Sequence, residues 1–408
     1  MNYLEKLLDG VGVEWKTLGE VTDFTNGKGH EKGITEDGKY IVVNSKFIST
    51  NGKVAKFSDE QICPLFCEDI LIVMSDLPNG KALAKTFLVE ENDKYTLNQR
   101  IGAIRVKDSN ILFPKFLNYF LNRTPQLLKF DDGASQTNLR KDQIQSVIIP
   151  IPSVKIQQKI VAILDSFTEL TAELTAELTA ELTARKMQYS YYREKLYLLD
   201  KNKVQHLPMD DESIGVFQRG KRFVKTDLIS EGVPVIHYGE MYTHYGTWTD
   251  KTKSFLSKEL VKNKNLRVAN KGDVVIVAAG ETIEDIGMGT AWLGDEGVVV
   301  HDACFSYKTT LNPKFVAYFT RTKQFHDQIK KHISSGKISA INAKGLGKAI
   351  IPVPSKEEQE RIVAILDKFD ILTNSISEGL PKEIELRKKQ YEYYRDLLLT
   401  FPKENLEE

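Results

Sequence analysis

The chain has 408 residues, which is too long for one ordinary hydrophobic core and suits two or three domains. Hydrophobic residues make up 41% of it and charged residues 27%, which is typical of a globular protein and excludes a disordered one. The 56 basic and 56 acidic residues cancel, so the overall charge gives no argument for a polyanionic partner.

The first 150 residues carry a mixture of strand and helix signals. Runs rich in Val and Ile predict strands at residues 40–44, 69–74 and 100–106. A helix is predicted near residues 114–130, with Pro114 in its first turn. We therefore predict a mixed α/β domain at residues 1–150, with loops that are suited to recognition.

A long helix is predicted after this domain. The Pro-x-Pro motif in IIPIPS excludes helix before it and Ser153 is a suitable N-cap, so we expect a helix over residues 157–199, roughly 65 Å long. Its apolar residues follow the 4,3 spacing of a coiled-coil seam, at Ile156, Ile160, Ile163, Phe167, Leu170 and Leu174. From residue 168 the sequence becomes TELTAELTAELTAEL, a literal four-residue repeat. Residues 151–204 are predicted to form this central helical segment.

The second half of the chain carries the same kinds of signal. Strands are predicted at residues 233–238, 273–279 and 297–307, and a helix near residues 313–331, again with Pro in its first turn. These elements predict a second mixed α/β domain at residues 205–350.

A second long helix is predicted in the last segment, residues 351–408. Ser355 and Glu358 have the spacing of a capping box just after another Pro-x-Pro motif. The coiled-coil seam recurs at Ile362, Ile365, Phe369, Leu372 and Ile376. The segment Gly379-Leu380-Pro381 predicts a bend or break in this helix.

The chain contains one arrangement twice. IIPIPSVKIQQKIVAILDSF (148–167) aligns with IIPVPSKEEQERIVAILDKF (350–369), and at the same offset RKMQYSYYRE (185–194) aligns with RKKQYEYYRD (387–396). A match held over roughly 45 residues is a duplication. Upstream the match is weaker, so the two globules have diverged more than the helices. We expect an α+β fold with internal pseudo-symmetry and two long helices that pack on each other.

No catalytic constellation is evident in the sequence. GITEDGKY (33–40) resembles part of a phosphate-binding loop, but Tyr40 replaces the Ser or Thr that Mg²⁺ needs, and a turn leading into a strand is the preferred interpretation. The pair His301-Asp302 has no third partner placed by the sequence. Self-sufficient nuclease or methyltransferase activity is therefore not expected.

Cysteine usage and hydropathy indicate a cytoplasmic protein. Cys63, Cys67 and Cys304 are too few for a disulfide framework, and CPLFC has no second Cys/His pair, so small buried thiols are expected instead of a zinc site. No apolar run approaches a membrane span, and the N-terminus lacks a signal-peptide pattern.

These motifs together resemble a known family. Two diverged domains, each followed by a helix that opens with P-x-P and Q-x-x-I-V-x-I-L-D and closes with R-K-x-Q-Y-x-Y-Y-R, are similar to the specificity (S) subunit of Type I restriction-modification systems. The TAEL repeats indicate the IC subfamily. The resemblance covers essentially the whole chain, and the duplicated helices carry its most specific motifs.

The resemblance implies a DNA-reading subunit without catalytic activity of its own. Each domain would be a target-recognition domain for one half of a bipartite, asymmetric site in double-stranded DNA. The helices would form an antiparallel coiled coil that sets the spacer and docks two methylation (M) subunits, which methylate adenine. No cofactor is expected on this chain, because the methylation and restriction (R) subunits would bind S-adenosylmethionine, ATP and Mg²⁺.

The resemblance also implies where DNA would be contacted. Asn and Gln suit adenine edges, and Arg and Lys suit guanine or phosphate. Lys28, His30, Lys32, Arg219, Lys221 and Arg222 are the candidate phosphate contacts. The other candidate DNA contacts are Asn44, Lys46, Ser75, Asn79, Lys81, Asn98, Gln99, Arg100, Tyr238, Glu281, Thr282, His301 and Lys337. For each residue the alternative is an ordinary solvated side chain.

The aromatic and basic tail of each long helix is a candidate docking surface for other subunits. Tyr and Arg are frequent interface anchors, and a repeated pair would offer two equivalent sites. The alternatives are packing against other helices and a base-stacking platform. The candidate docking residues are Gln188, Tyr189, Tyr192, Arg193, Gln390, Tyr391, Tyr394 and Arg395.

Two functions of different classes remain to be separated. The first is the DNA-specificity subunit, and the second is a coiled-coil scaffold whose two domains bind proteins. Binding of duplex DNA together with a methylation partner would distinguish the two.

Overall fold

The computed structural model describes residues 7–8, 12–30, 32–78, 80–336, 338–375 and 378–401. The chain divides into two compact units. Unit 1 comprises Met1–Thr175 and Leu386–Glu408, and unit 2 comprises Ala176–Glu385. Asn79, Lys337 and Ile376, which the sequence singled out, lie outside the described residues. Strands and helices are mixed in both units, as the sequence predicts.

Unit 1 contains short strands and helices followed by the start of a long helix. Its strands are β1 (Glu14–Thr17), β2 (Thr22–Asn26), β3 (Tyr40–Val43), β4 (Phe57–Ser58), β5 (Ile70–Val73), β6 (Ser75–Asp76), β7 (Thr86–Leu88), β8 (Tyr95–Leu97), β9 (Ile101–Val106), β10 (Thr137–Asn138) and β11 (Ile148–Ile151). Its helices are α1 (Leu18–Val21), α2 (Ser45–Ser49), α3 (Pro114–Leu121), α4 (Pro125–Leu128), α5 (Lys141–Gln145) and the first part of α6 (Val154–Lys195).

The strands of unit 1 form small sheets. One sheet has the order β2-β9-β5-β7 and a second has the order β4-β3-β8, in which β3 and β8 are parallel. Two-stranded pairings join β1 to β11 and β6 to β10. The strands predicted at residues 40–44, 69–74 and 100–106 are confirmed by β3, β5 and β9.

Unit 2 repeats this kind of content. Its strands are β12 (Gln205–Pro208), β13 (Gly215–Arg219), β14 (Val233–Ile236), β15 (Trp248–Thr249), β16 (Ser254–Leu256), β17 (Val268–Ala269), β18 (Val274–Val277), β19 (Ala279–Gly280), β20 (Gly289–Trp292), β21 (Val298–Val300), β22 (Cys304–Thr309), β23 (Ser339–Ala340) and β24 (Ile350–Val353). Its helices are α7 (Tyr238–Thr243), α8 (Lys258–Asn263), α9 (Pro313–Phe319), α10 (Lys323–Ile329), α11 (Ala343–Gly347), α12 (Lys356–Asn374) and part of α13 (Gly379–Leu399). Short 3₁₀ turns occupy Lys225–Asp227, Ile283–Asp285 and Lys330–His332.

The sheets of unit 2 have the same general plan. Their orders are β13-β22-β18-β20-β15 and β16-β14-β21-β17, with two-stranded pairings of β12 with β24 and of β19 with β23. Strands predicted at residues 233–238 and 273–279 are confirmed by β14 and β18. The single strand predicted at residues 297–307 is wrong. A turn closed by the Cys304 N–H and the His301 carbonyl (2.9 Å) separates β21 from β22, which lie in different sheets.

Two predicted helices are each divided. The helix predicted near residues 114–130 becomes α3 and α4, because Arg123 between them adopts a left-handed backbone conformation with φ +58° and Pro125 starts a new helix. The helix predicted near residues 313–331 becomes α9 and α10. Thr322 caps the second of these by accepting the Phe325 N–H (3.2 Å).

The long helices begin and break near the predicted positions. Helix α6 has 42 residues and starts directly after the Pro-x-Pro segment of β11. Ser355 accepts the Glu358 N–H at 3.3 Å, but the Glu358 carboxylate binds Arg361 at 2.7 Å, so the predicted capping box is only half formed. The predicted break is confirmed, since α12 ends at Asn374 and α13 begins at Gly379, whose φ is +75°. Among the described residues, none of the helices combines the length and hydropathy needed to cross a membrane.

A buried glutamine attaches each long helix to the preceding domain. In unit 1, the Gln157 side-chain oxygen accepts the Phe113 N–H (2.7 Å), and its amide donates to the carbonyls of Ile111 (2.9 Å) and Pro152 (2.8 Å). In unit 2, Gln359 accepts the Asn312 N–H and donates to the Pro354 carbonyl. Satisfied buried amides of this kind fix geometry, because losing a partner leaves the other groups unpaired.

An aspartate two turns further along each helix makes a second attachment. Asp165 accepts hydrogen bonds from Lys115 and Tyr119, both at 2.8 Å. In unit 2, Asp367 accepts bonds from Lys314 (2.5 Å) and Tyr318 (2.7 Å). Both aspartates end the repeated IVAILD motif, so the motif is the part of the helix that faces its domain.

The glutamine joint predicts a specific loss of stability. Gln157→Leu removes the partners of Phe113, Ile111 and Pro152 while keeping a buried side chain of similar size. We expect the free energy of unfolding to fall by about 2–4 kcal/mol, because buried polar groups without partners are costly. Urea unfolding measures the change. Gln158→Leu, at the adjacent exposed position, is the control, and equal stabilities for the two variants would contradict the joint.

Candidate nucleic-acid interface

The predicted contacts of unit 1 gather where two parallel strands end. Strands β3 and β8 run in the same direction, with Val43 opposite Leu97. Asn44 and Asn98 follow these two residues, and the Asn98 N–H donates to the Val43 carbonyl (3.2 Å). Two amide side chains that are far apart in sequence therefore stand at one edge of the sheet.

A glycine loop brings a lysine to the same edge. The Gly27 N–H donates to Ile101 and the Lys28 N–H to Leu97, both at 3.1 Å. A Cβ on Gly27 would lie 2.0 Å from the Asn98 carbonyl oxygen, so this approach requires glycine. The exposed Lys28 is thereby held beside Asn98.

The loop that follows β5 is held to this edge as well. The Met74 N–H donates to the Arg100 carbonyl (3.0 Å). The Asp76 carboxylate accepts backbone N–H groups of Leu77, Ala82 and Leu83 at 2.7–3.1 Å, which fixes both ends of the loop. The cationic side chains of Arg100 and Lys81 are exposed.

Unit 2 builds the corresponding edge from different side chains. Strands β14 and β21 are parallel, with Ile236 opposite Val300, and the next residues are His237 and His301. The Lys221 N–H donates to the Val300 carbonyl (3.1 Å). The glycine before it, Gly220, would place a Cβ 2.2 Å from the His301 carbonyl oxygen. The same backbone arrangement therefore carries Asn44 and Asn98 in unit 1 and two histidines in unit 2.

A basic cluster flanks the edge of unit 2. The Arg219 Nε–H donates to the Asp302 carbonyl (3.0 Å), and an Arg267 guanidinium N–H donates to the Arg219 carbonyl (2.5 Å). Arg222 is exposed nearby in sequence and Lys221 is half-buried. The sequence interpretation missed Arg267, because only the pairing of β17 with β21 brings it beside Arg219.

Three of the predicted contacts are buried, which corrects their assignment. His30 is 1% exposed and its ring bonds the Lys28 carbonyl (2.8 Å) and the Thr96 hydroxyl (2.9 Å). His301 is buried and its ring contacts the Phe223 carbonyl (3.1 Å). The buried Ser75 accepts a hydrogen bond from Gln136 (2.8 Å). These side chains support the loops and do not present themselves to a ligand.

The histidines at the edge of unit 2 are kept neutral. Burial lowers the pKa of both His237 and His301. Their rings lie 4.8 Å apart, and the exposed Tyr238 ring lies 5.2 Å from His301. At neutral pH the exposed Tyr238 ring therefore lies beside two imidazole rings that carry no positive charge.

The remaining predicted contacts that the structure describes are exposed, apart from the half-buried Asn44 and Asn98. Asn44 caps α2 by accepting the Phe47 N–H (2.9 Å), so its side-chain oxygen is already engaged. The exposed predicted residues are Lys32, Lys46, Gln99, Glu281 and Thr282. Asn79 and Lys337 lie outside the described residues.

The predicted docking residues of unit 2 divide into packed and accessible side chains. Tyr189 is buried and stacks on Phe369 with ring centroids 6.0 Å apart, while Tyr192 stacks on the same ring at 5.5 Å. Arg193 lies over the Tyr189 ring and Gln188 accepts a bond from Arg185. Burial of Tyr189 corrects its assignment to an exposed docking surface, because its ring packs between helices.

Unit 1 makes matching contacts at the end of α13. The Tyr391 hydroxyl lies 3.0 Å from that of Thr168, and the Tyr394 ring lies 5.7 Å from Phe167. Arg395 is paired with Asp396 at 2.7 Å, and Gln390 is exposed. Among the tyrosines whose exposure the structure describes, Tyr191 (57%) and Tyr393 (64%) are the most exposed. They occupy the same position in the two repeats and were not among the predicted docking residues.

The cysteines and acidic residues show no arranged metal site among the described residues. Cys63 and Cys304 are buried, but Cys67 is exposed, which corrects the expectation that both thiols of CPLFC are buried. The Cys67 thiol lies 3.3 Å from the Glu90 carbonyl at the surface.

The chain matches one family along both of its halves. The family model described as Type I restriction modification DNA specificity domain matches residues 11–184 and 212–386. The Type I restriction enzyme EcoR124I/EcoR124II specificity subunit of Escherichia coli is 32% identical, with 99% of this chain and 98% of that protein covered. A putative type I restriction enzyme specificity subunit of Haemophilus influenzae is 33% identical, with 98% of each covered.

Solved structures show the same fold. A chain from a structural study of complex assembly and conformational transition of the type I R-M system has a TM-score of 0.71 at 18% identity, covering 95% of this chain and 97% of that one. The crystal structure of an HsdS subunit from Thermoanaerobacter tengcongensis has a TM-score of 0.54 at 16% identity, covering 95% of each. The matched halves and the near-complete coverage place the chain in the family of Type I restriction-modification specificity subunits.

Proposed function

We propose that this chain recognises a bipartite, asymmetric site in double-stranded DNA, with one half read by the domain of unit 1 and the other by the domain of unit 2. The main support for the proposal is that both units contain the same kind of strand edge. Each unit places the ends of two parallel strands beside a glycine loop with an exposed or half-buried lysine, Lys28 or Lys221. The side chains at the strand ends differ between the units, as two different half-sites require.

The exposed side chains of these edges suit a nucleic-acid ligand. In unit 1, the half-buried Asn98 and the exposed Gln99 and Arg100 are consecutive and combine amide and guanidinium donors, which pair with base edges or phosphates. In unit 2, the exposed Arg219, Arg222 and Arg267 supply positive charge, and the exposed Tyr238 supplies an aromatic ring. Because the whole chain has no net charge, these local clusters are the proposed source of phosphate attraction.

The long helices are proposed to form an antiparallel coiled coil that sets the distance between the half-sites. The contact of Phe167 with Tyr394 in unit 1, and of Tyr192 with Phe369 in unit 2, support this pairing. In each unit, the beginning of one repeated helix packs against the end of the other. The division into segments 1–150, 151–204, 205–350 and 351–408, and the internal pseudo-symmetry, belong to the same proposal.

The accessible tyrosines and basic residues of the helix ends are proposed to dock two methylation subunits. Tyr191 and Tyr393 are added to the candidate docking residues, and the buried Tyr189 is removed from them. The methylation subunits would bind S-adenosylmethionine and methylate adenine, and restriction subunits would bind ATP and Mg²⁺. This chain would hold no cofactor, and we expect the complex to work in the cytoplasm.

The methylated adenines of a host genome test the function directly. A strain that expresses this chain with its methylation partner is expected to carry modified adenines in one motif made of two short half-sites separated by a fixed gap. Single-molecule sequencing of the genome measures this, with a strain lacking this chain as the control. A continuous motif would contradict the two-domain assignment. Modification that persists without the chain would favour the protein-binding scaffold.

The TAEL repeat predicts a change of gap. Deleting residues 171–174 removes about 6 Å of rise and a rotation of roughly 40° beyond a full turn, and one base pair contributes about 3.4 Å. We expect the gap to shorten by about one base pair while both half-sites stay the same. The same genome measurement reports it, with Ala172→Ser as a control of unchanged length. Altered half-site bases at an unchanged gap would contradict the spacer role.

A further inference from the structure

Each unit exposes one large aliphatic side chain on a corresponding two-stranded ribbon. In unit 1 the ribbon is β6 with β10, and Leu77 beside it is 68% exposed. In unit 2 the ribbon is β19 with β23, and Ile338 beside it is 63% exposed. Single exposed apolar residues are ordinary on protein surfaces, so the recurrence on the same ribbon is the informative part.

The two side chains stand at the same level of their ribbons. In unit 1 Asp76 pairs with Thr137, and one step further along this register Leu77 lies opposite Gln136. In unit 2 Gly280 pairs with Ser339, and one step further Glu281 lies opposite Ile338. The aliphatic side chain comes from the first strand in unit 1 and from the second strand in unit 2. Both ribbons therefore have one aliphatic and one polar residue opposite each other at this position. The two residue types have exchanged strands between the units.

Both aliphatic residues are held by hydrogen bonds that leave the side chain free. The Leu77 N–H donates to the Asp76 carboxylate (2.9 Å), and the Gly80 N–H donates to the Leu77 carbonyl (2.9 Å). Ile338 lies in a loop closed by two backbone hydrogen bonds between Ser334 and Ala340, at 2.8 and 3.1 Å. Both side chains therefore remain exposed although hydrogen bonds hold the backbone beside them.

Each ribbon is attached to the edge proposed to face DNA. In unit 1 the Met74 N–H donates to the Arg100 carbonyl, so the ribbon starts beside the exposed Gln99 and Arg100. In unit 2 the N–H groups of Ala278 and Ala279 donate to the Ala303 carbonyl at 2.7 and 3.1 Å, next to the His301 turn. Each exposed aliphatic residue therefore lies at the outer end of a short ribbon whose other end is bonded to the proposed DNA-facing edge.

We propose that Leu77 and Ile338 each place an aliphatic side chain against the bases of one DNA half-site. The proposal rests on the DNA-reading function above and adds an apolar contact to the phosphate contacts of the basic residues. Two kinds of apolar base surface are suitable. One is the methyl group of thymine in the major groove, and the other is the face of a base at a partly opened step.

The test uses the full chain assembled with its methylation partner. Its ligands are a duplex that carries the motif found in the methylated genome and a duplex of equal length with scrambled half-sites. Leu77→Ala and Ile338→Ala are each expected to weaken binding of the specific duplex about tenfold, and to leave binding of the scrambled duplex unchanged. The dependence of affinity on salt is expected to stay the same, because no phosphate contact is lost.

The assignment of one residue to each half-site is tested by scrambling the halves separately. Leu77→Ala is expected not to weaken binding of a duplex whose unit 1 half-site is scrambled. Ile338→Ala is expected not to weaken binding of a duplex whose unit 2 half-site is scrambled. Replacing thymine by deoxyuridine in a half-site lowers the affinity of the unmodified complex if the contact is to the methyl group. If the contact is to an opened step instead, 2-aminopurine placed in the half-site becomes more fluorescent when the unmodified complex binds. Leu77→Ala is then expected to abolish this rise.

Matched controls separate this role from general surface effects. Val54→Ala in unit 1 and Leu198→Ala in unit 2 remove exposed aliphatic groups away from the ribbons and are expected to bind the specific duplex as before. Unchanged affinity of both Leu77→Ala and Ile338→Ala for the specific duplex would overturn the proposal while leaving the proposed function intact. An unmodified complex that binds specific and scrambled duplexes equally would overturn both.

Discussion

The amide of one buried glutamine in each unit is the contact on which the rest of the arrangement depends. Gln157 joins the backbone before α3, the Pro-x-Pro segment and the first turn of α6 in a single set of hydrogen bonds. A helix can serve as a spacer only if its ends are rigidly attached to what it separates. Asp165 adds an attachment two turns later through Lys115 and Tyr119, so the domain is held along the helix and not at one point.

The edges proposed to read DNA show how one backbone arrangement can serve two different half-sites. The contacts that build each edge are made by backbone groups, for example from Lys28 to Leu97 and from Lys221 to Val300. Glycine is required at the close approaches by the neighbouring carbonyl, whatever the side chains around it are. The side chains that follow the parallel strands are therefore free to change from amides to neutral histidines. Recognition can diverge while the fold that positions it stays the same.

The sequence predicted what depends on local patterns and missed what depends on distant contacts. Strands β3, β5, β9, β14 and β18 were predicted because each is a short run rich in Val and Ile. The division of GVVVHDACFSY was missed because the turn after His301 contains neither Gly nor Pro, and only different sheet partners separate its two strands. The burial of His30 and Tyr189 was also invisible, since Thr96 and Phe369, which they contact, are far away in sequence. Arg267 joined the basic cluster through strand pairing alone.

Contacts between residues that are distant in sequence also explain why the repeated helices have changed less than the repeated domains. The residues identical in the two copies include Gln157 and Gln359, the two aspartates that end IVAILD, and the tyrosines that pack on Phe369 or lie beside Thr168. Each of these makes a defined contact with a partner inside its own unit, and a change at either glutamine would leave buried backbone groups without a hydrogen-bond partner. The side chains of Leu77 and Ile338, in contrast, are largely exposed, and the aliphatic residue belongs to the first strand of the ribbon in unit 1 and to the second strand in unit 2. Internal contacts thus hold the two copies of the framework alike, while residues that face outward are less constrained by the fold and are free to differ between the units.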